Sequence, residues 1–247
     1  MSPVALAWEQ FRLERKLFWR NPSAAFFNFM LPLLLLLLIA SVFSSNAKEL
    51  KVLIPGIAGM SVMATTFTAL AFNLTFLREQ GILKRVRGTP LPAVSYFGGL
   101  LGSAVLNAFV QMGLVVLLGH LLYGVGWPQD WLLLVGFTAL GVVCFGALGI
   151  AFSYAIPNFD AAPAYVNAVF LPAIFISGVF YSSDTLPAAL AAIAQALPLK
   201  HLIDGLSAAI VSGSDLGGNL DALAIVALWG VFGGYFAVRG FSWESRS

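Results

Sequence analysis

Charged side chains are scarce along this chain. Asp, Glu, Lys and Arg make up 10% of its 247 residues and apolar types 60%, whereas a soluble domain averages about 25% charged. Water is therefore not its main solvent. Cysteine occurs once, at Cys144 inside an apolar run, which excludes an intrachain disulfide and a Cys-rich metal site. No G-x-x-x-x-G-K-[ST] phosphate cradle stands at any of the five lysines, so the chain carries no recognisable ATP site of its own. The formal net charge of +2 gives no general reason to bind nucleic acid. A signal peptide's short apolar core and small-residue cleavage site are also missing, and the N-terminal segment is expected to be retained.

What the sequence has instead is long uncharged runs. No charge occurs between Arg20 and Lys48, and Leu31-Pro32 followed by six leucines fills the middle of that stretch. Runs of this length predict an all-α integral membrane protein with six transmembrane helices, at 24–43, 53–77, 92–123, 131–156, 161–181 and 222–238. Pro92 suits a first helical turn, and Gly124, Gly126 and Trp127-Pro128 mark a turn between the third and fourth spans. The stretch 184–205 is apolar but leaves only about 10–12 residues between Pro187 and Pro198, too few to span, so it predicts a short re-entrant or interfacial outer segment.

Charge placement gives orientation. With six spans, Arg12, Arg15, Lys16, Arg20, Arg78, Lys84, Arg85, Arg87, Arg239 and Arg246 fall on one side, and Lys48, Lys51 and Lys200 on the other. The positive-inside rule then puts both termini in the cytoplasm of a cell-membrane protein.

Two basic segments stand out. Residues 1–22 predict an amphipathic interface helix, with Val4, Trp8, Phe11 and Phe18 near one face and Arg12, Lys16 and Arg20 at fourfold spacing on another. It reads equally as a membrane-lipid anchor or as a partner-docking element. The loop 78–91 reads Arg78-Glu79-Gln80-Gly81-Ile82-Leu83-Lys84-Arg85-Val86-Arg87-Gly88-Thr89-Pro90-Leu91. Ile82, Leu83 and Val86 fall at helical spacing between two glycines, which predicts a short amphipathic cytoplasmic helix between the second and third spans.

The pattern Arg78-Glu79-x-Gly81-x-Leu83-Lys84-Arg85 with Gly88-Thr89-Pro90-Leu91, followed later by Phe170-Leu171-Pro172, Ser177-Gly178-Val179-Phe180-Tyr181, Leu186-Pro187 and Leu197-Pro198-Leu199, resembles the type-2 ABC transporter permeases. The order of elements agrees over nearly the whole chain. That resemblance implies a dimer of six-helix subunits, a homodimer or a pair with a sister permease, each docked on a cytoplasmic ABC ATPase, two ATPase copies in all. ATP and Mg would bind in the partner, not in this chain. The coupling residues it implies are Arg78, Glu79, Gly81, Leu83, Lys84, Arg85 and Arg87, with Glu79 and Leu83 meeting the ATPase, and the interface helix contributes Trp8, Phe11, Arg12, Lys16 and Arg20.

Polar groups inside the spans are few. Gly99, Ser103, Asn107 and Gln111 follow at fourfold spacing on the third span, and Thr65 and Asn167 lie on the second and fifth. Such a face serves either helix packing or a dimer seam and substrate route. His201 and Asp204 stand three apart without a further ligand cluster, so a metal site is not expected. No acid or base lies near the middle of a predicted span, which disfavours an ion-coupled secondary transporter. A route lined by apolar, hydroxyl and amide groups suits a lipophilic or amphipathic, drug-like substrate, with export of a lipid-linked glycan or polysaccharide as the alternative.

Overall fold

The computed structural model describes residues 2–42, 47–181, 187–213 and 216–240, and every regular element among them is helical. The Ser2 hydroxyl accepts from the Ala5 N–H at 3.3 Å and opens α1 (Pro3–Arg20), with Pro3 in the first turn, where its missing N–H goes unneeded. Then come α2 (Pro22–Val42), α3 (Ala47–Met63), a π-helical turn (Ala64–Thr68) and α4 (Ala69–Glu79). The short α5 (Ile82–Arg87) precedes α6 (Ala93–Tyr123), α7 (Trp131–Phe152) and α8 (Ala162–Ile176). The chain ends with α9 (Ala188–Ala196), α10 (Pro198–Ser207) and α11 (Leu220–Gly240).

Among the described residues, four helices are long and apolar enough to cross a membrane: Lys48–Glu79, Ala93–Tyr123, Trp131–Phe152 and Gly217–Arg239. Shorter apolar stretches, Phe29–Val42 and Ala162–Ile176, stand where the first and fifth spans were expected. The fifth stops short of 181 because the chain leaves the helix at Ser177 and Gly178 takes a φ of 77°. The segment then crosses α3, so close to Gly56 that a Cβ there would sit 2.0 Å from the Val179 carbonyl oxygen. Composition cannot separate a helical apolar run from one that breaks to cross a neighbour. The helix expected over 131–156 likewise ends at Phe152, and α3, the π turn and α4 follow one another as one long helix that extends the expected 53–77 to Ala47 and Glu79. Phe43, Asp184, Leu186 and Arg246, which bore on the expected boundaries, motif and charge count, lie outside the described residues.

Helix α10 is buried along most of its length. Glycines make room for it: Gly59 faces Ile203, Gly141 faces Leu202, and Gly205 lies against the Phe137 ring, where a Cβ would come within 2.2 Å. At the α9–α10 corner the Trp229 indole donates to the Ala196 carbonyl at 2.9 Å. Beyond the other end of α10 the Ala209 carbonyl accepts from the N–H groups of Gln129 and Asp130, just before α7. The two helices thus form a hairpin whose α10 arm is set among α3, α7 and α11, while α9 meets α8. Lys200 is paired with Asp204 at 2.5 Å, while His201 Nε2 meets the Gln195 carbonyl at 2.8 Å. His201 and Asp204 are therefore turned to different partners.

Candidate coupling end and polar cavity

The ends of α4, α7 and α11 and the starts of α1 and α6 gather at one end of the bundle, the end that carries α5 with Lys84, Arg85 and Arg87. Arg78 closes α4 from within. Its Nη1 donates to the Ser153 carbonyl at 2.9 Å and its Nη2 to the Ile156 carbonyl at 2.5 Å, and the residue is 8% exposed. These carbonyls belong to the turn after α7, where the helix no longer supplies N–H partners. Glu79 is the last residue of α4, and its carboxylate accepts from the Phe159 N–H. The Phe159 ring packs edge-on against Phe76, with centroids 5.3 Å apart. Two consecutive charged residues thereby clamp the α7–α8 loop to the end of the long helix.

Gly81 turns the chain with φ 67°, a left-handed conformation that glycine adopts at least cost, and starts α5. Leu83 then points inward. It is 1% exposed and packs in a cluster with Leu70, Leu74, Tyr96, Leu100 and Ile150. The expected apolar knob for a partner's groove is thus occupied inside the subunit, because hydrophobic spacing defines a helix face without saying what covers it. Lys84, Arg85 and Arg87 form the exposed side of α5.

Helix α1 lies along α6. The Ser95 hydroxyl donates to the Pro3 carbonyl at 2.8 Å, Gln10 packs so tightly on Gly99 that a Cβ there would be 2.6 Å from its side chain, and Arg15 donates to Asn107 Oδ1. Trp8, Arg12, Lys16 and Arg20 remain exposed, with Trp8 stacked on half-buried Phe11 at 5.1 Å. Gln111 is fully buried and donates to the Phe29 carbonyl of α2 at 3.2 Å. The polar stripe of α6 is thus tied to the chain's own α1 and α2 through Gly99, Asn107 and Gln111. Asn167 is exposed on α8, away from these groups.

Between α1, the long helix and α6 lies a cavity of about 310 Å³ that brings Thr65, Ser103 and Asn107 together with Glu14, Asn73, Leu17, Phe18, Leu70 and Leu100. Glu14 was not anticipated, since its spacing with Gln10 on the α1 face opposite the basic stripe was its only sequence signal. Burial holds its carboxyl above the usual range, and a hydrogen bond from Gln10 at 2.8 Å opposes that only in part. A second cavity, about 400 Å³ and almost wholly apolar, lies at the corner of the α9–α10 hairpin among Phe67, Phe145, Phe152, Pro198, Trp229 and Phe232.

Helical architecture, long apolar elements and a clamped basic end describe a polytopic membrane subunit. A family model described as ABC-2 type transporter matches residues 5–211, and the chain belongs to that family. It is 27% identical over 161 residues to the "Linearmycin resistance permease protein LnrN" of Bacillus subtilis, covering 64% of this chain and 41% of that one. Identity to the "Probable multidrug ABC transporter permease YbhS" of Escherichia coli is 24% over 165 residues, 66% of this chain and 43% of the relative. The "Daunorubicin resistance ABC transporter permease protein DrrB1" of Streptomyces coeruleorubidus is 27% identical over 186 residues, 70% and 63% respectively. The matched segments thus span less than two thirds of each of these relatives' own length.

Proposed function

We propose that the chain is the membrane-spanning permease subunit of an ATP-driven exporter that moves a lipophilic or amphipathic, drug-like molecule out of the cytoplasm or the inner leaflet. The observation that carries this reading is the ABC-2 match over 5–211, which includes the α4–α5 corner with its exposed Lys84, Arg85 and Arg87. In it, α2, the long helix, α6, α7, α8 and α11 are six spans, both termini and α5 are cytoplasmic, and α9–α10 re-enters from outside. Two such subunits, as a homodimer, stand on two ABC ATPase subunits, in which ATP and Mg are bound. The relatives' names, which speak of linearmycin, daunorubicin and multidrug transport, support a lipophilic cargo. So does the aromatic cavity beside the hairpin.

Coupling in this reading passes through two layers. Lys84, Arg85 and Arg87 touch the ATPase, and Arg78 and Glu79 pass its movement to the α7–α8 loop. The test is co-purification with the partner ATPase and reconstitution into vesicles. Daunorubicin or a similar dye should accumulate only with ATP, and the permease alone should hydrolyse none. Robust ATP hydrolysis by the isolated chain, with contaminants removed, would sink the reading.

A further inference from the structure

The cavity between α1, the long helix and α6 has a chemistry that helix packing does not require. Leu17, Phe18, Leu70 and Leu100 give it an apolar wall, Thr65, Asn73, Ser103 and Asn107 add polar groups, and the Glu14 carboxylate lines it as well. Glu14 makes no ion pair among the described residues. Its neighbour Arg15 does not neutralise it: that guanidinium goes to Asn107 Oδ1 and lies over the Phe18 ring, 5.0 Å from its centroid. The Asn73 amide and the Ser103 hydroxyl also line the cavity and make no hydrogen bond among the described residues. A partly desolvated carboxylate, two unengaged polar groups and an apolar wall therefore face one space.

We propose that this cavity binds the alkylammonium head of an amphiphile, with Glu14 as counter-charge, Asn73 and Ser103 as hydrogen-bonding groups, and the leucine-lined wall against the adjoining hydrocarbon. A single carboxylate matches a single positive charge. A divalent metal ion needs more oxygen ligands than one carboxylate, an amide and a hydroxyl provide. A desolvated cation held by a carboxylate is also strongly discriminated from a neutral molecule of similar shape. The ammonium can come from a lipid headgroup or from a free cationic amphiphile. Where such a molecule goes next rests on the export reading; its binding does not.

The experiment uses the full chain with its ATPase in nanodiscs of phosphatidylglycerol, without ATP, with empty discs subtracted. A long-chain alkylamine carrying a dansyl group at its far end serves as the cationic probe and its N-acetyl derivative as the uncharged one, each followed by fluorescence anisotropy. Glu14→Gln should weaken binding of the amine by about thirtyfold, the low end for removing one partner of a buried charge pair. Glu14→Asp should restore most of it, and binding of the N-acetyl derivative should be unchanged. Unchanged affinity for the amine in Glu14→Gln, or equal losses for both probes, overturns the proposal. Should that variant fail to assemble, Asn73→Leu decides: it narrows the cavity from α4 while leaving Glu14 charged, and full retention of affinity for the amine overturns the assignment. Phosphatidylethanolamine added to the discs competes if the lipid headgroup is the natural source and does not if a free amphiphile is. Loss of ATP-driven dye accumulation with binding intact counts against the exporter reading alone.

Discussion

The guanidinium of Arg78 satisfies two carbonyls, of Ser153 and Ile156, that the end of α7 leaves without helical partners. Removing it strands both beside a buried void, so Arg78→Ala is expected to destabilise the chain by about 2–3 kcal/mol, as for lost hydrogen bonds to a charged group. Arg78→Lys keeps the charge but presents one compact donor where a fork reached two acceptors, and it should recover only part of that loss. Thermal unfolding of the purified variants measures both, and an unshifted midpoint for Arg78→Ala would contradict the clamp. Nothing in the local sequence distinguishes Arg78 from the exposed Arg85 and Arg87. The difference arises only because the α7–α8 loop lies within its reach.

Elements show the same division. Helix α5 has an inner face, Leu83 and Val86, and an outer face, Lys84, Arg85 and Arg87. Leu83→Asp places a carboxylate in an apolar cluster and should lower stability and assembly outright. Lys84→Ala with Arg85→Ala should leave the unfolding midpoint nearly unchanged while reducing ATPase stimulation by substrate. A double variant that transports normally would remove these residues from the coupling surface. In the long helix, the π turn at Ala64–Thr68 brings the Phe67 carbonyl against Gly149 of α7, where a Cβ would lie 2.6 Å from that oxygen. The Thr65 and Thr66 hydroxyls bond back to the Ser61 and Val62 carbonyls at 2.8 and 2.6 Å beside the turn. Gly149→Ala should cost about 1–3 kcal/mol through overpacking, again read by thermal unfolding.

At the scale of the whole molecule, the shared end of α4, α7 and α11 ties the topology together, since it holds α5, the α7–α8 loop and the end of α11 at one end of the bundle. In a Cys144→Ala background, Lys84→Cys should resist an impermeant thiol reagent added to intact cells, whereas Lys51→Cys should react. External labelling at position 84 would reverse the proposed orientation.

Much of this was legible beforehand. The lengths of uncharged runs, the turns at Gly81 and Gly124 and the basic placement of 78–87 follow from local terms, because a charge in hydrocarbon or a backbone needing positive φ constrains its own position. What covers a helix face is not local. The inward turn of Glu14, the burial of Leu83, and the covering of Asn107 and Gln111 by α1 and α2 each depend on an element distant in the chain. The sequence by itself determined a polytopic membrane chain with a basic, amphipathic corner. Only the tertiary structure decided which groups that corner keeps and which it offers, because periodicity sets the faces of a helix and packing alone chooses their partners.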